Sequence, residues 1–425
     1  MRINDLRSEI RNGRTRVVAT VVWEDSDRPT HDLYFETEEE FASALSLNPH
    51  AFLVGCIVPA MHFGEKRVAI DAEICPELRI GLDTAMSWLR HWYYEPTRDL
   101  IRIEAGTRSH IPTPHTPDRA GFFFSGGVDS FATLRANRLN FPPEHPGSIK
   151  DGVLVFGLEL DDSAMFQHVI QLYREVAKKA EITLVPIYTN VYLNYREEDA
   201  RNHFRFWMGQ FQGAAFASIS HALANRYTVM SIAASEAIPE ASILGLQNLA
   251  PYGSHPLLDP LYSSGDLRLR HDGITLSRLD KIRLVADWEV ALKNLRVCNR
   301  FKQYKSGSLN CGRCEKCVRT MLGLLAVGAL DKTDVFPSHE VTVELVKEAV
   351  IIVPSTWRSY DLEPSYLELL EPLTNLGRRD LVNAIKAQLA KGQARGLNGW
   401  KNRIATFDNR FLGGRLRRLK GMLSP

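Results

Sequence analysis

The sequence lacks any apolar run of about 18 residues, the length that a membrane-spanning helix requires. Residues 1–7 also lack the apolar core of a secretory signal peptide. Charge of either sign is scarcely in excess, because 52 Lys and Arg against 50 Asp and Glu leave +2, which indicates no particular partner. These absences favour a soluble, cytoplasmic protein, and 425 residues are enough for more than one domain.

Cysteine is scarce as well, and in a reducing compartment its six residues are better explained as metal ligands or core residues than as disulfides. Four of them, Cys298, Cys311, Cys314 and Cys317, lie within twenty positions. Four thiolates at this spacing, with Gly312 to relax the turn, predict a closed structural zinc site. An iron–sulfur cluster also takes four cysteines, and simply reduced thiols are the remaining alternative.

The most informative stretch that is present covers residues 121–130, where an apolar run ends at two glycines bounded by hydroxyls and a carboxylate. Residues 122–124 predict a buried parallel strand, and Gly126 and Gly127 let backbone N–H groups turn toward a ligand. The next residues predict a helix, whose N-terminus suits phosphate or pyrophosphate. A plain glycine turn is the alternative. No Lys follows the glycines, which excludes the Walker type of phosphate loop.

The complete string from Ser125 to Ser130, SGGVDS, resembles the signature of the ATP pyrophosphatase (PP-loop) family, whose members cleave ATP between the α- and β-phosphates. The resemblance implies that Asp129 helps to place Mg²⁺. It implies that the loop amides hold the pyrophosphate; the loop consists of Ser125, Gly126, Gly127, Val128, Asp129 and Ser130. It further implies that the backbone around Gly157 and Leu158 pairs with adenine. Glu236 stands where the family often has a ligand to ribose, metal or substrate, with chance exposure on a loop as the alternative.

One branch of this family, 7-cyano-7-deazaguanine synthase, carries a zinc site and makes a nitrile from a carboxylate with ammonia and ATP. The chain is similar to that branch in the glycine string and in residues 280–283, 295–298 and 311–319. The resemblance implies that Lys281 reaches the phosphates and is catalytic, whereas a solvated lysine on a helix face is the alternative. Residues 252–261 stand where the branch has its substrate contacts. His255 among them could bind substrate or act as a base, although a lone loop histidine is more often neither.

Short apolar strands alternate with helix-length segments through the middle of the chain, which predicts an α/β fold with a parallel, Rossmann-like (HUP-type) sheet. Parallel strands bind ligands beyond their carboxyl ends, so the functional loops should follow Phe124, Phe156, Tyr188 and Ala234. A helix is predicted from about His203 to Arg226, with small residues spaced for close packing.

Three domains are predicted, with boundaries near 115 and 330. Residues 1–115 form an α+β N-terminal domain of unknown role, 116–330 the ATP pyrophosphatase domain with its zinc site, and 331–425 a helical region. The last 35 residues are basic and carry leucines at heptad-like spacing, which suits nucleic acid, a membrane surface or an acidic partner. An ordinary terminal helix is the alternative, and a homo-oligomer is compatible with the sequence.

The leading hypothesis is an AMP- and pyrophosphate-forming ligase that uses ATP and Mg²⁺, with Zn²⁺ as a structural ion. It would adenylate a carboxylate or carbonyl oxygen of a small molecule or modified base for attack by ammonia or an amine. No glutaminase is recognisable in the sequence, so the nitrogen would come from outside the chain. The alternatives are a tRNA-thiolating enzyme of the same family and a nucleotide-binding module without catalysis.

Overall fold

The computed structural model describes residues 1–110, 118–158, 162–235, 252–298, 310–349 and 363–398. The chain divides into two compact units. The first comprises Met1–Pro239, Pro251–Leu276 and Asp287–Leu295, and the second comprises Glu240–Ala250, Ser277–Ala286 and Arg296–Pro425. Within the described ranges, no helix has both the length and the hydrophobicity that a bilayer crossing needs.

The first unit is built on a ten-stranded sheet. Its strands are β1 (Arg2–Arg11), β2 (Arg14–Val22), β3 (His31–Glu38), β4 (Arg67–Ile74), β5 (Arg102–Thr107), β6 (Ala120–Phe123), β7 (Ile149–Phe156), β8 (Thr183–Thr189), β9 (Val229–Ala233) and β10 (Arg268–Asp272). Its α-helices are α1 (Pro49–Phe63), α2 (Pro76–Tyr93), α3 (Val128–Asn140), α4 (Ser163–Lys179), α5 (Ala200–Phe206), α6 (Gln212–Ala222) and, later in the chain, α8 (Glu289–Leu292). A short 3-10 helix, Asp259–Tyr262, precedes β10.

The strand order is β10-β9-β6-β7-β8-β3-β2-β1-β4-β5. Strands β6 to β10 pair in parallel, β3 joins β8 in the antiparallel sense, and β1, β4 and β5 are again parallel to one another. The predicted α/β class with a mostly parallel sheet is therefore confirmed. The predicted boundary near 115 falls between two parts of this one sheet, because residues 1–110 supply five of its strands.

The parallel half of the sheet is doubly wound around β6. From β6 the chain passes through α3 to β7 on one side, and from β8 it returns through α5 and α6 to β9 on the other side. Phe124 packs against Phe131 of α3 at 5.2 Å between ring centroids, whereas Phe123 packs against Phe216 of α6 at 4.6 Å. The helices thus cover opposite faces. The loop after β6 lies at the topological switch point, where open α/β sheets bind ligands.

The elements that the sequence analysis left out have weak sequence patterns for physical reasons. Helix α1 is buried around almost its whole circumference and contains Pro59, so it shows no amphipathic period. Strand β10 reads Arg-Leu-Arg-His-Asp, in which a single aliphatic residue carries the alternation. Strand β1 is largely exposed and polar.

The helix predicted over residues 203–226 is interrupted by a π-helical segment, Trp207–Phe211, between α5 and α6. In this segment the Gln212 N–H reaches back to the Trp207 carbonyl. The Met208 carbonyl instead accepts the N–H of Gly253 at 2.7 Å, and the Gly253 carbonyl accepts the N–H of Gly213 at 2.8 Å. A distant loop is therefore fastened by the backbone groups that the π segment releases.

Close approach explains the small residues of this helix. A Cβ on Gly213 would overlap the Asp259 carboxylate and the Gly253 carbonyl, and a Cβ on Gly253 would lie 2.8 Å from the Gln212 nitrogen. Farther along, Gly55 of α1 faces Ser218 of α6, where an added Cβ would lie 3.3 Å from the serine Cβ. The predicted close packing is confirmed.

The second unit is helical around the cysteines. Its helices are α7 (Arg278–Ala286), α9 (Glu315–Ala326), α10 (Val343–Ala349), α11 (Glu363–Leu367), α12 (Leu370–Asn375) and α13 (Arg379–Asn398). Helix α7 packs on α9, and a Cβ on Gly323 would overlap Ile282. The heptad-like leucines of the basic tail lie outside the described residues.

Candidate functional site

The glycine loop, Ser125–Ser130, joins the carboxyl end of β6 to the N-terminus of α3. Gly126 has φ +73°, and a Cβ there would overlap the hydroxyl of the buried Tyr173. The left-handed conformation and the lack of space both require glycine. Gly127 is the N-cap of α3 and makes no side-chain cap, so the dipole end of the helix faces the loop without a side-chain oxygen of its cap residue.

Hydroxyl groups hold the loop in shape. Ser125 Oγ accepts the N–H of Gly127 at 3.3 Å and donates to Ser130 Oγ at 3.3 Å, while Ser130 Oγ donates to the Gly127 carbonyl at 3.1 Å. The Tyr173 hydroxyl donates to the Ser125 carbonyl at 3.3 Å. Val128 is 3% exposed and therefore buried, whereas Asp129 is half-buried in the first turn of α3. The arrangement is a preformed turn of backbone amides that suits an anion.

The other predicted nucleotide residues share this edge of the sheet. Gly157 follows β7 with φ +95°, and a Cβ there would overlap the carbonyl of Thr189 at the end of β8. Leu158 is 7% exposed and belongs to the core. Ser235 follows β9 and is exposed, while Glu236 lies outside the described residues.

The four cysteines form one cluster. Their Sγ atoms all lie within 4.8 Å of one another, and the pairs Cys311–Cys317 and Cys298–Cys314 are each 3.9 Å apart. Four thiolates around a tetrahedral zinc ion, with Zn–S of about 2.3 Å, would be separated by about 3.8 Å. The cluster therefore has the chemistry and the dimensions of a metal site.

Local structure prepares this cluster for a cation. The N–H groups of Arg313 and Cys314 donate to Cys311 Sγ at 3.5 and 3.3 Å, and Gly312 has φ +69°. Hydrogen bonding among the thiols couples their ionisation, so that the pKa of Cys314 is lowered by Cys298 and Cys317, whereas that of Cys317 is raised by Cys298 and Cys314.

Asn310 is a supporting residue that the sequence analysis missed. It is fully buried, its Oδ1 accepts the N–H groups of Val297 and Cys298 at 2.8 and 3.2 Å, and its Nδ2 donates to the Val335 carbonyl at 3.0 Å. It thereby ties the segment of the first cysteine to the other three. The asparagine immediately before Cys311 was the only available signal, and it is weak without the fold.

Lys281 is not the surface residue that the alternative interpretation requires. It lies on α7 in the second unit with 2% exposure, whereas the glycine loop belongs to the first unit. Ser277 and Asp280 form a reciprocal capping box at the start of α7, with each side chain accepting the other's N–H at 3.1 and 3.2 Å. Asp280 therefore caps the helix and pairs with Arg283 at 2.7 Å.

The remaining polar candidates divide between structure and a second cluster. Asp162 Oδ1 accepts the Met165 N–H at 2.7 Å, so Asp162 is the N-cap of α4. His203 and His221 are buried, and His221 shares a 2.8 Å hydrogen bond with the Tyr262 carbonyl. His255 is buried beside Asp259 and His271, two residues that the sequence analysis did not single out because β10 was not predicted.

Comparisons with protein-family models, with curated proteins and with solved structures found no match to this chain. The fold and the site therefore define the class by themselves. It is an α/β protein with a preformed glycine loop at the switch point of its sheet and a four-cysteine group that can hold a metal ion.

Proposed function

We propose that the protein is an ATP pyrophosphatase of the PP-loop type, which adenylates a carboxylate or carbonyl oxygen and releases pyrophosphate. The observation that carries this proposal is the SGGVDS turn, with its left-handed Gly126, at the switch point between β6 and β9. Backbone amides and the dipole of α3 suit a pyrophosphate there. The loop has no Walker lysine, and its resemblance to the PP-loop signature implies cleavage at the α-phosphate rather than at γ.

The proposal gives the loop residues distinct roles. The amides of residues 125–130 would bind the pyrophosphate, and Asp129 would help to hold Mg²⁺, which supplies charge neutralisation on the phosphates. The backbone at Gly157 and Leu158, at the neighbouring strand end, would pair with adenine. Lys281 is assigned to catalysis, and its near-complete burial favours a role beyond solubility. A nitrogen nucleophile would then displace AMP.

We also propose that the cysteine cluster holds zinc as a closed structural ion. Four thiolates leave no open coordination position, so the ion would fasten residues 296–298 to the start of α9 rather than take part in the reaction. Metal analysis of purified protein should find one zinc per chain. Iron with acid-labile sulfide and visible absorption would establish the iron–sulfur alternative instead.

Cysteine chemistry disfavours the thiolating alternative. Apart from the cluster, the sequence holds only Cys56 and Cys75, and both are buried. Burial raises the pKa of Cys56 to about 12, which makes it a poor nucleophile at neutral pH. A persulfide carrier would need a reactive, accessible thiol, so amidation is the better proposal.

The test is the fate of ATP labelled at its α-phosphate, incubated with Mg²⁺, a 7-deazaguanine carboxylate and ammonium chloride. AMP and pyrophosphate are expected, and Asp129→Ala and Lys281→Ala should each lower their formation at least 100-fold. Exposed residues of the same types, Asp71→Ala and Lys332→Ala, are the matched controls and should retain full turnover.

Other outcomes separate the alternatives. Formation of ADP and phosphate would overturn cleavage at the α-phosphate. Binding of α,β-methylene ATP without any turnover, by calorimetry, would indicate the inactive nucleotide-binding module. If neither binding nor turnover occurs, the assignment of the glycine loop to ATP is wrong.

A further inference from the structure

A second group of polar side chains lies at the same edge of the sheet and has no role in the proposed binding of ATP. We call Asp259, His271 and His255 the histidine cluster. Asp259 begins the 3-10 helix before β10, His271 is the penultimate residue of β10, and His255 lies in the preceding loop. Asp259 and His255 are fully buried, and the His271 side chain is 2% exposed.

The hydrogen bonds of Asp259 determine the tautomer of His271. The Asp259 carboxylate accepts from Ser254 Oγ at 2.8 Å, from His271 Nδ1 at 2.7 Å and from the His255 N–H at 3.3 Å. Because a carboxylate only accepts, the proton of a neutral His271 lies on Nδ1. Its Nε2 therefore presents a lone pair, and this nitrogen meets no hydrogen-bond partner among the described residues.

His255 has the opposite tautomer. Its Nδ1 accepts the N–H of Leu257 at 3.1 Å, so the proton of its neutral ring lies on Nε2. That N–H also lacks a partner within the described part of the chain. The ring is packed edge-on against Trp92 and Tyr252, each at 5.0 Å between centroids. Burial, with a smaller contribution from nearby His271, lowers the pKa of His255 to about 4, so the ring is neutral at neutral pH.

The register of the sheet places His271 of the histidine cluster near the glycine loop. Arg270 pairs with Ser231, and Ser231 pairs with Phe122, so His271 is one residue farther, level with the end of β6. Two strand spacings of about 4.8 Å separate β10 from β6, which is about 10 Å. His271 is level with Phe123, so its side chain points to the face of the sheet that Phe123 and α6 occupy. An adenylate bound at the glycine loop would be long enough to span this distance to His271.

The surroundings of the cluster are built to hold it in place. A Cβ would collide at Gly213 and at Gly253, which lie next to the π segment, and Gly213 abuts the Asp259 carboxylate. Arg270 and Asp272 flank His271 on β10, but alternation turns them to the opposite face, where they pair with each other at 2.7 Å. Asp259 faces the His271 ring as its hydrogen-bond partner, and His255 is close enough to His271 for an electrostatic interaction.

A metal ion does not fit these tautomers. A ligand nitrogen needs a free lone pair, and the Leu257 N–H already occupies the only lone pair of His255. In the described ranges, the four cysteines are the group whose ligand atoms have metal-site spacing. The cluster instead offers one hydrogen-bond acceptor and one donor. Leaving both buried without a partner costs free energy, which a small guest that donates and accepts would recover.

We propose that the histidine cluster binds the small nitrogen nucleophile and that His271 is its general base, with Asp259 as the positioning residue. This inference rests on the proposed function. The nucleophile, ammonia or an amine of similar size, would donate an N–H to Nε2 of His271 and accept the Nε2–H of His255. Shielding of both ring nitrogens favours so small a guest.

The chemical step balances without a further reactant. The nitrogen first releases the hydrogen bond that it accepts from His255, because its single lone pair must attack the adenylated carbon. A C–N bond then forms and the C–O bond to AMP breaks, with its electron pair leaving on the AMP phosphate. The proton lost by the nitrogen moves to Nε2 of His271. Asp259 then stabilises the resulting imidazolium through the 2.7 Å hydrogen bond to Nδ1.

The first test uses NMR of the full chain with ¹⁵N-labelled histidine and does not depend on any activity. Ligand-free protein at pH 8.5 should show His271 protonated at Nδ1 and His255 at Nε2, with assignments from His271→Gln and His255→Gln. Addition of ammonium chloride should shift both Nε2 resonances, whereas potassium chloride should not. His221, a buried histidine bonded to a carbonyl, is the internal control and should not shift. Protonation of His271 at Nε2, or an equal shift of His221, would overturn the proposal.

The second test separates the two half-reactions. His271→Gln should preserve the pyrophosphate released in the first turnover but lower ammonium-dependent kcat at least 100-fold and remove the acidic limb of its pH profile. His255→Gln keeps an N–H donor and should retain more activity than His255→Leu. Asp259→Asn should lower kcat and shift that limb rather than raise the KM for ATP.

The outcomes keep the two proposals apart. If wild-type protein releases no pyrophosphate, the proposed function fails while the NMR result still decides whether the cluster binds ammonia. If His271→Gln folds, by circular dichroism, but also loses the first-turnover pyrophosphate, His271 does not act as the base. If His271→Gln does not fold, the comparison of His255→Gln with His255→Leu decides.

Discussion

One buried carboxylate lies at the amino ends of the strands around β6, and another lies at their carboxyl ends. The two carboxylates have different surroundings. At the amino ends, Asp151 of β7 is fully buried and receives hydrogen bonds from Arg119 at 2.6 and 2.7 Å and from Arg226 at 2.6 Å. At the carboxyl ends, Asp259 also has its partners, but the imidazoles of His271 and His255 each keep one nitrogen without a partner in the described structure.

The difference indicates that the amino ends of the strands serve stability, whereas the carboxyl ends serve binding. Arg119 precedes β6 and Arg226 precedes β9, so their shared carboxylate joins three strands at the amino ends. Burial opposes the charge of Asp151, but hydrogen bonds from both guanidinium groups outweigh it and lower the pKa of the carboxyl. At the amino ends, both oxygens of the Asp151 carboxylate are hydrogen-bonded to guanidinium groups. The carboxyl end has left-handed glycines and unfilled hydrogen-bonding capacity, which are features of a binding edge.

The largest expected effect on stability comes from removing the buried charge of Asp151. Asp151→Asn leaves two partly buried guanidinium groups without their carboxylate and should lower the free energy of unfolding by about 3 kcal/mol. Urea denaturation measures this loss. Asp32→Asn, which breaks the half-exposed pair with Arg7, is the matched control and should cost less than about 1 kcal/mol. Equal losses in the two variants would contradict a special role for burial.

Acid should reveal the buried neutral histidines. The folded pKa of His255, about 4, lies below its ordinary value of 6.5, so between these values the unfolded chain binds a proton that the folded protein does not. Stability from this residue is therefore complete above pH 6.5 and falls as the pH drops toward 4, by at most about 1.4 kcal/mol per pH unit. His50 and His221, whose pKa values burial lowers to about 3 and about 4, act in the same direction.

Denaturation across this pH range tests that expectation. His255→Gln should show a shallower fall of the unfolding free energy between pH 6.5 and 4 than wild-type protein. The exposed His91→Gln should follow the wild-type slope. An unchanged slope for His255→Gln would mean that His255 is already charged in the folded protein.

The smallest expected effect on stability comes from replacing a left-handed glycine. Gly126 has no space for a Cβ, whereas Gly64 has open space there. Gly126→Ala should cost about 1–2 kcal/mol from its φ of +73°, and displacement of Tyr173 should also weaken binding of α,β-methylene ATP at least tenfold. Gly64 has φ +86° with nothing within 4 Å of an added Cβ, so Gly64→Ala should show only the conformational cost. Calorimetry would contradict the comparison if both variants bound the nucleotide analogue as wild type does.

Much of the parallel half was predictable because its signals are local. The strand ends predicted at Phe124, Phe156, Tyr188 and Ala234 coincide with the ends of β6, β7, β8 and β9 to within one residue, since buried strands are apolar and punctuated by glycine or polar residues. The four clustered cysteines were recognisable for a similar reason, because three of them lie at three-residue spacing on one knuckle.

The histidine cluster was not predictable in this way. Its carboxylate lies in a short 3-10 helix, and its base lies on a strand with a mostly charged sequence. The π segment that fastens the loop of His255 depends on hydrogen bonds to Gly253, more than forty residues away. Lys281 could not be told from a solvated lysine until its burial was known.

The turn residues of Ser125–Ser130, the four clustered thiols and the alternation of strand and helix can be recognised in the sequence alone, because each depends on neighbouring residues. The position of the glycine loop at the switch point follows from the three-dimensional fold, since it requires β9 to pair with β6 rather than with β8. The fold also brings together the carboxylate of Asp259 and the imidazole of His271, which are hydrogen-bonded. Such pairings arise from packing between distant segments, which local propensity does not encode.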